Sequence, residues 1–322
     1  MSTDGPTIGD VGEFPLIDSL VRDLPGSPAV SLGPGDDAAV FLVDGSCVVS
    51  TDVLVEGVHF RRDWSSAHDV GRKSVAVNVA DLEAMGVEPL TLVVGFSAPA
   101  ELPARWAREF MVGLREEADR AGVSVVGGDT TAAPVVTVSV TVMGQTGGLA
   151  PLRRDGALPG DAVAVVGRLG WAAAGLVVLG RGFRSPRAVV EAQRCPAVPY
   201  GQGRVAAEAG AHSLIDVSDG LLADLGHIAQ ASGFAIDVDP QCLEVAEPLR
   251  TVGMATGIDP LTWVLGGGED HALAGTFAPE AVPEDWTVIG EVLPPSTHPD
   301  PVVLVGSSSW DGSQGWTHFT PA

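Results

Sequence analysis

Mixed α and β structure in two domains is what the sequence predicts, and three observations predict it. The chain has 322 residues, near two domains on a prior of roughly 150 residues each. Helical and strand periodicities alternate through both halves. Between the halves, Gly147-Gly148-Leu149-Ala150-Pro151 is the best boundary, dividing the chain into residues 1–148 and 149–322.

Taken in order, Phe14 to Leu24 reads as a helix ending at Pro25, with Leu16, Ile17, Leu20, Val21 and Leu24 on one face. Ala38 to Val43 and Cys47 to Ser50 read as strands, and the Asp44-Gly45 step between them signals a hairpin. That hairpin would place Asp37, before its first strand, and Asp52, after its second, at the same end. Ser66 to Ala84 is helical, with Ser66 as N-cap and Gly86 as the stop. On it Asn78 and Asp81 are three apart and share a face. Leu90 to Phe96 is a strand, and Leu102 to Ala121 a helix with Pro103 in its first turn and Gly122 after it. Val123 to Val126 is a buried strand that ends in Gly127-Gly128-Asp129-Thr130-Thr131. In Val136 to Val142 valines alternate with hydroxyls, the period of a half-buried strand whose polar face meets water or another chain.

The second half opens on a loop holding Arg153 and Arg154, then the strand Ala162 to Val166 and an Ala-rich helix ending near Leu179. Ile215-Asp216-Val217-Ser218-Asp219-Gly220 leads from a strand into the helix Leu221 to Ala231. Ser218 or Asp219 would cap that helix, which leaves Asp216 over, and a buried carboxylate needs a partner. Gly266-Gly267-Gly268-Glu269-Asp270 precedes the strand Ala272 to Phe277, and Val288 to Val292 and Val302 to Val305 close the set.

Apolar runs thus end repeatedly in small residues plus a carboxylate. Glycine lets the backbone approach closely, turn amides cradle phosphate oxygens, and carboxylates with hydroxyls are hard ligands for Mg²⁺. The composition narrows the partners. A net charge of -23 repels nucleic acid and anionic membranes and favours cations. Lys73 is the sole lysine, and its Gly71-Arg72-Lys73-Ser74 context lacks the spaced glycine of a P-loop. A phosphate-handling site here must therefore use metal and arginine. Cys47, Cys195 and Cys242 have no zinc or redox spacing. Met1 to Asp10 is not a signal segment and no apolar run spans a bilayer, so a cytoplasmic protein is expected.

The ordered set Gly12-Glu13-Phe14, Gly35-Asp36-Asp37-Ala38-Ala39-Val40, Ser50-Thr51-Asp52, Val55-Glu56-Gly57-Val58-His59-Phe60, Asn78 to Asp81, Gly127-Gly128-Asp129-Thr130-Thr131, Asp216 to Gly220 and Gly267-Gly268-Glu269-Asp270 resembles the thiamine-monophosphate kinases. The short acidic turns are shared with the wider superfamily of aminoimidazole ribonucleotide synthetase and selenophosphate synthetase. Val55 to Phe60 and the terminal Gly315-Trp316-Thr317-His318-Phe319 are more specific.

The resemblance implies an α+β protein of two domains. Residues 1–148 would bind metal and ATP and pair their sheet across a homodimer; residues 149–322 would complete the nucleotide and substrate site. It implies ATP as co-substrate, several Mg²⁺ ions and thiamine monophosphate as acceptor. By motif match Asp37, Ser50, Thr51, Asp52, Asp81, Asp129, Asp216 and Asp219 would hold magnesium. Gly128, Arg154 and Ser218 would meet the nucleotide, and His59, Glu269 and Trp316 the thiamine. No general base is conspicuous. Two departures stand out: His271-Ala272 where the family usually continues Tyr-Glu, and Pro34 for a common isoleucine. Two other readings stay open: a superfamily member with another acceptor, and a non-catalytic cation-binding protein, although EF-hand spacing is absent.

Overall fold

The computed structural model describes residues 5–34 and 38–316. Asp37 and the Thr317-His318-Phe319 part of the terminal motif lie outside them. The chain divides into two compact units, one of Met1–Leu82 with Glu88–Gly148, the other of Glu83–Val87 with Leu149–Ala322.

The first unit contains α1 (Ile8–Val11), α2 (Glu13–Val21), β1 (Val30–Leu32), β2 (Val40–Phe41), β3 (Cys47–Val55), α3 (Ala67–Ala84), β4 (Glu88–Ala98), α4 (Ala104–Ala121), β5 (Ser124–Ala132) and β6 (Thr137–Gln145). Its main sheet runs β3-β6-β4-β5, with only the β4–β5 pair parallel. Val138, Val140 and Val142 are fully buried on one face, as their alternation predicts. Helix α3 begins in a reciprocal cap: Ser66 N donates to Asp69 Oδ2 (2.9 Å) and Asp69 N to Ser66 Oγ (3.1 Å). It crosses α4 closely enough that a Cβ on Gly71 would meet Phe110 O at 2.0 Å, and one on Gly113 would meet His68 O at 2.0 Å. On the other face of the sheet Val49 and Val53 are exposed.

Two expectations are corrected in this unit. No hairpin forms at Asp44-Gly45. Instead β2 pairs with β1, and β3 pairs with β6 from Cys47↔Gln145 to Val55↔Thr137. The turn docks on the end of β6: Asp44 N donates to Gln145 Oε1 (2.7 Å), Ser46 N to Thr146 Oγ1 (3.0 Å) and Gly147 N to Asp44 O (3.1 Å). Asp52 therefore lies inside a strand. Likewise the Gly127–Thr131 segment is not a turn after a strand. It continues β5, with Gly128 opposite Val94 and Asp129 opposite Gly95, because β4 supplies a hydrogen-bonding edge along its whole length.

The second unit contains β7 (Ala162–Val166), α5 (Trp171–Gly180), α6 (Arg187–Arg194), α7 (Gln202–Glu208), β8 (Ser213–Val217), α8 (Leu221–Ser232), β9 (Ile236–Val238), α9 (Glu247–Thr256), α10 (Pro260–Gly266), β10 (Ala272–Phe277), β11 (Thr287–Val292) and β12 (Val303–Val305). Its six-stranded sheet runs β12-β9-β11-β7-β10-β8, antiparallel except at β12–β9. The buried Glu83 belongs here because its carboxylate accepts from Gly201 N (2.8 Å) and Gly203 N (2.9 Å) at the start of α7. Burial pushes its pKa up against those two hydrogen bonds. Helices α6, α7 and α9 and strand β9 are elements that the sequence pattern does not announce.

Candidate active site

In the first unit α3 and β3 build a compact set of oxygen donors. Ser50 Oγ donates to Asp81 Oδ2 at 2.5 Å, and Asp52 N donates to Asn78 Oδ1 at 2.8 Å. Asn78 is in turn fixed by its Nδ2 donating to Ser74 O (2.8 Å). The three-residue spacing of Asn78 and Asp81 thus holds one strand at two successive inward positions. Thr51 is not part of this set. Its hydroxyl donates to Val140 O (2.9 Å) and accepts from Thr141 Oγ1 (3.0 Å), since neighbouring strand residues point to opposite faces.

Gly128 and Asp129 stand at the far edge of the sheet, on β5. A Cβ on Gly128 would meet Val94 O at 2.2 Å, so strand packing alone requires glycine there. Beside them opens an apolar pocket lined by Leu20 of α2, Val94 and Phe96 of β4, Phe110 and Met111 of α4, and Gly127 to Thr130. The pocket residues from α2, β4 and α4 escape sequence reasoning because their spacing is that of any core face.

His59 is half-buried, and its Nδ1 accepts from Val55 N at 3.0 Å. This assigns the proton of the neutral ring to Nε2. The buried Lys73 donates from Nζ to His59 O at 3.1 Å, tying the His59 loop to α3.

In the second unit three distant segments meet at the β8–α8 turn. Glu269 N donates to Ser218 O (2.7 Å), Trp316 N to Asp219 O (3.0 Å), and Ala223 N to Gln314 O (2.9 Å). Gly268 fits because a Cβ there would meet Ser218 O at 2.6 Å. Ser218, Asp219, Glu269 and Trp316 are thus brought together, and Trp316 is 62% exposed. Asp224, buried in the first turn of α8, shapes the turn by accepting from Asp219 N and Gly220 N, both at 3.0 Å. Its carboxyl is pushed up to about 7, first by burial and then by the charges of Asp216 and Asp219. Asp216 has the partner that its burial demands: His271 Nδ1 lies 3.0 Å from its Oδ2.

Arg154 is not brought to that turn within this unit. It is exposed, its carbonyl accepts from Ser232 Oγ (3.0 Å) at the end of α8, and Arg153 O accepts from Leu214 N near the start of β8. Ser218 and Asp219 lie at the opposite ends of both elements. Motif match marked Arg154, and a motif carries no information about which end of a βα unit its loop occupies in this fold. Among the described residues, no group of three or more His, Cys, Asp or Glu is arranged to hold a metal ion.

The chain is similar over nearly its whole length to known proteins. Residues 35–146 match the AIR synthase related protein, N-terminal domain family. The thiamine-monophosphate kinase of Mycobacterium tuberculosis is 47% identical over 99% of this chain and 95% of its own. The chain belongs to the thiamine-monophosphate kinase family. Among solved structures of the family, the enzyme from Stenotrophomonas maltophilia K279a superposes with a TM-score of 0.79 at 34% identity, covering 94% of this chain and 98% of that one. AaThiL complexed with AMPPCP and TMP superposes with a TM-score of 0.80 at 31% identity, covering 96% and 97%.

Membership of the thiamine-monophosphate kinase family bears out the resemblance carried by the motifs. His271 sits at 5% exposure, facing the 4% exposed Asp216. Its neighbour Asp270 is buried as well, with Oδ2 accepting from Gly170 N (2.5 Å) and Oδ1 from Ala172 N (2.8 Å) at the start of α5. Burial raises the Asp270 carboxyl to about 7, against those two bonds. Among the described residues, no helix is long and apolar enough to cross a membrane.

Proposed function

We propose that this chain is a cytoplasmic enzyme that transfers the γ-phosphoryl group of ATP to the phosphate of thiamine monophosphate, giving thiamine diphosphate and ADP. The observation that carries the reading is the convergence of Ser218, Asp219, Glu269 and Trp316, drawn from three separate segments, on one turn. A structural turn needs only its cap. It does not need a second glycine-rich loop and an exposed tryptophan tied to its carbonyls.

The donors suit magnesium. Ser50, Asp52 and Asp81 offer hydroxyl and carboxylate oxygen, Asp216 and Asp219 offer carboxylate oxygen in the second unit, and such hard donors fit Mg²⁺. Asp37 and Asp129 complete the proposed ligands, with Thr51 contributing through its main chain. The chemistry supplied by bound Mg²⁺ is neutralisation of phosphate charge and alignment for in-line transfer.

The chain's own residues do the rest. The apolar pocket beside Gly128 suits a flat, weakly polar base, with the phosphates running toward Gly128 and Asp129. His59 would meet the thiamine monophosphate, and the exposed Trp316 would be a stacking surface for its heteroaromatic ring. Ser218 would meet the nucleotide and Glu269 the cationic thiamine ring; Arg154 remains a nucleotide contact to be tested. No general base is required. A phosphate monoester has its second pKa near ~6 and is mostly dianionic at neutral pH.

The proposal includes a homodimer. Asp52 and Gly128 stand on opposite edges of one sheet, about 14 Å apart at three strand spacings. Pairing with a second copy would bring the β3 edge of one protomer to the β5 edge of the other. Residues 1–148 would then serve metal binding, nucleotide binding and dimerisation, and residues 149–322 would complete the site.

The reading is tested by following ADP release with ATP and Mg²⁺ when thiamine monophosphate, free thiamine or another phosphate monoester is supplied. Release that needs both Mg²⁺ and thiamine monophosphate supports it. Equal release with another acceptor would overturn the substrate assignment.

A further inference from the structure

We propose that His271 is a positioning residue that fixes the carboxylate of Asp216 for cation binding. The inference deepens the reading above and rests on its assignment of Asp216 as a magnesium ligand.

Backbone geometry places the imidazole. Strands β8 and β10 pair with Ala272 opposite Val217 and Leu273 opposite Asp216, and His271 N donates to Val217 O at 2.8 Å. His271 thus immediately precedes this ladder, and its side chain is set beside Asp216. Its φ is +50°, and that of Glu269 is +69°. Both are uncommon for residues with a side chain and need support from their surroundings. The support lies between them, where Asp270 is pinned to the start of α5 through Gly170 N and Ala172 N. The loop therefore presents His271 in one orientation.

Electrostatics gives that orientation a purpose. Asp216 and Asp219 lie close enough to Asp224 that the charges of the first two act on the third, so the Asp216 carboxylate sits among like charges that do not hold it in place. The Nδ1–H of His271 commits Asp216 Oδ2 to one bond at 3.0 Å, which fixes the carboxylate plane and leaves the second oxygen for a cation. Imidazole–carboxylate pairs of this kind tune metal sites from outside the ligand set.

The test compares wild type, His271→Phe, His271→Asn and Asp216→Asn by Mn²⁺ binding, read from the free-ion paramagnetic resonance signal in the presence of a non-hydrolysable ATP analogue. His271→Phe should weaken Mn²⁺ binding by about tenfold or more, and His271→Asn, which keeps a donor, should recover most of the loss. In the wild-type protein, adding Mg²⁺ should also shift the His271 imidazole nitrogen resonances, a readout that does not depend on any variant folding. Wild-type Mn²⁺ affinity in His271→Phe overturns the proposal, as do unmoved His271 resonances, provided that Asp216→Asn weakens the site. Absence of any cation binding to the wild type overturns the magnesium reading together with this inference.

Discussion

Asp52 and Gly128 occupy one row of the first unit's sheet, Asp52–Val140–Val94–Gly128, at its two opposite edges. Asp129 falls in the next row, with Gly95, Ser139 and Val53. One copy of this sheet therefore holds the α3–β3 donors and the β5 glycine–aspartate pair apart. If a second copy unites them, Asp52→Asn and Asp129→Asn each abolish turnover with folding intact. Mixing the two denatured variants and refolding them together should restore roughly a quarter of wild-type activity, the statistical share of intact sites in mixed dimers. Activity that stays absent in the mixture, with heterodimers shown by mass spectrometry, would count against a shared site.

The apolar pocket bears on nucleotide affinity. Replacing Met111 with Trp should fill it from α4 and raise the KM for ATP about tenfold, the equivalent of ~1.4 kcal/mol, with the KM for thiamine monophosphate little changed. Steady-state kinetics in both substrates checks this. An unaltered ATP dependence in a folded variant would remove the base from that pocket.

Lys73 holds the His59 loop. Lys73→Met keeps the buried stem and removes the donor to His59 O, a charged hydrogen bond worth about 1.5–3 kcal/mol. The expected result is a lower melting temperature and a raised KM for thiamine monophosphate, with a smaller effect on kcat. Loss of stability alone, with KM unchanged, would make the Lys73–His59 contact purely structural.

Asp270 links stability to pH. Its carboxyl is raised from the ordinary value of 3.8 to about 7 by burial. The contribution of its protonated form is therefore complete below about pH 4 and is lost as pH rises through about 7. A displacement of that size corresponds to about 4 kcal/mol at most. Asp270→Asn, neutral at every pH, should gain stability relative to wild type between pH 5 and pH 8 in chemical denaturation. A constant difference across that range would show that the Gly170 and Ala172 amides keep Asp270 ionised throughout.

Local chemistry made much of this legible in the sequence. Ser66, Gly86 and Gly122 mark helix ends by caps that need no tertiary context, and the Val136–Val142 alternation marks its strand by period. The Asn78–Asp81 pair was readable as one helical face. Strand partners were not. Asp44-Gly45 is a good hairpin turn locally, but β6, distant in sequence, offers β3 a longer edge, and the turn serves that edge instead. Gly127-Gly128 looks like a break only until β4 is known to lie alongside. The Asp216–His271 contact is likewise a product of β8–β10 pairing. That Asp216 needs a partner follows from its burial, whereas the partner's identity does not.

The central claim is direct phosphoryl transfer to thiamine monophosphate. The most direct measurement incubates the protein with γ-³²P-labelled ATP, Mg²⁺ and thiamine monophosphate and separates the products by chromatography. The account predicts label in the terminal phosphate of thiamine diphosphate, in equal amount to ADP, and none when Mg²⁺ is withheld. Label released only as inorganic phosphate, with no labelled thiamine diphosphate, would contradict it.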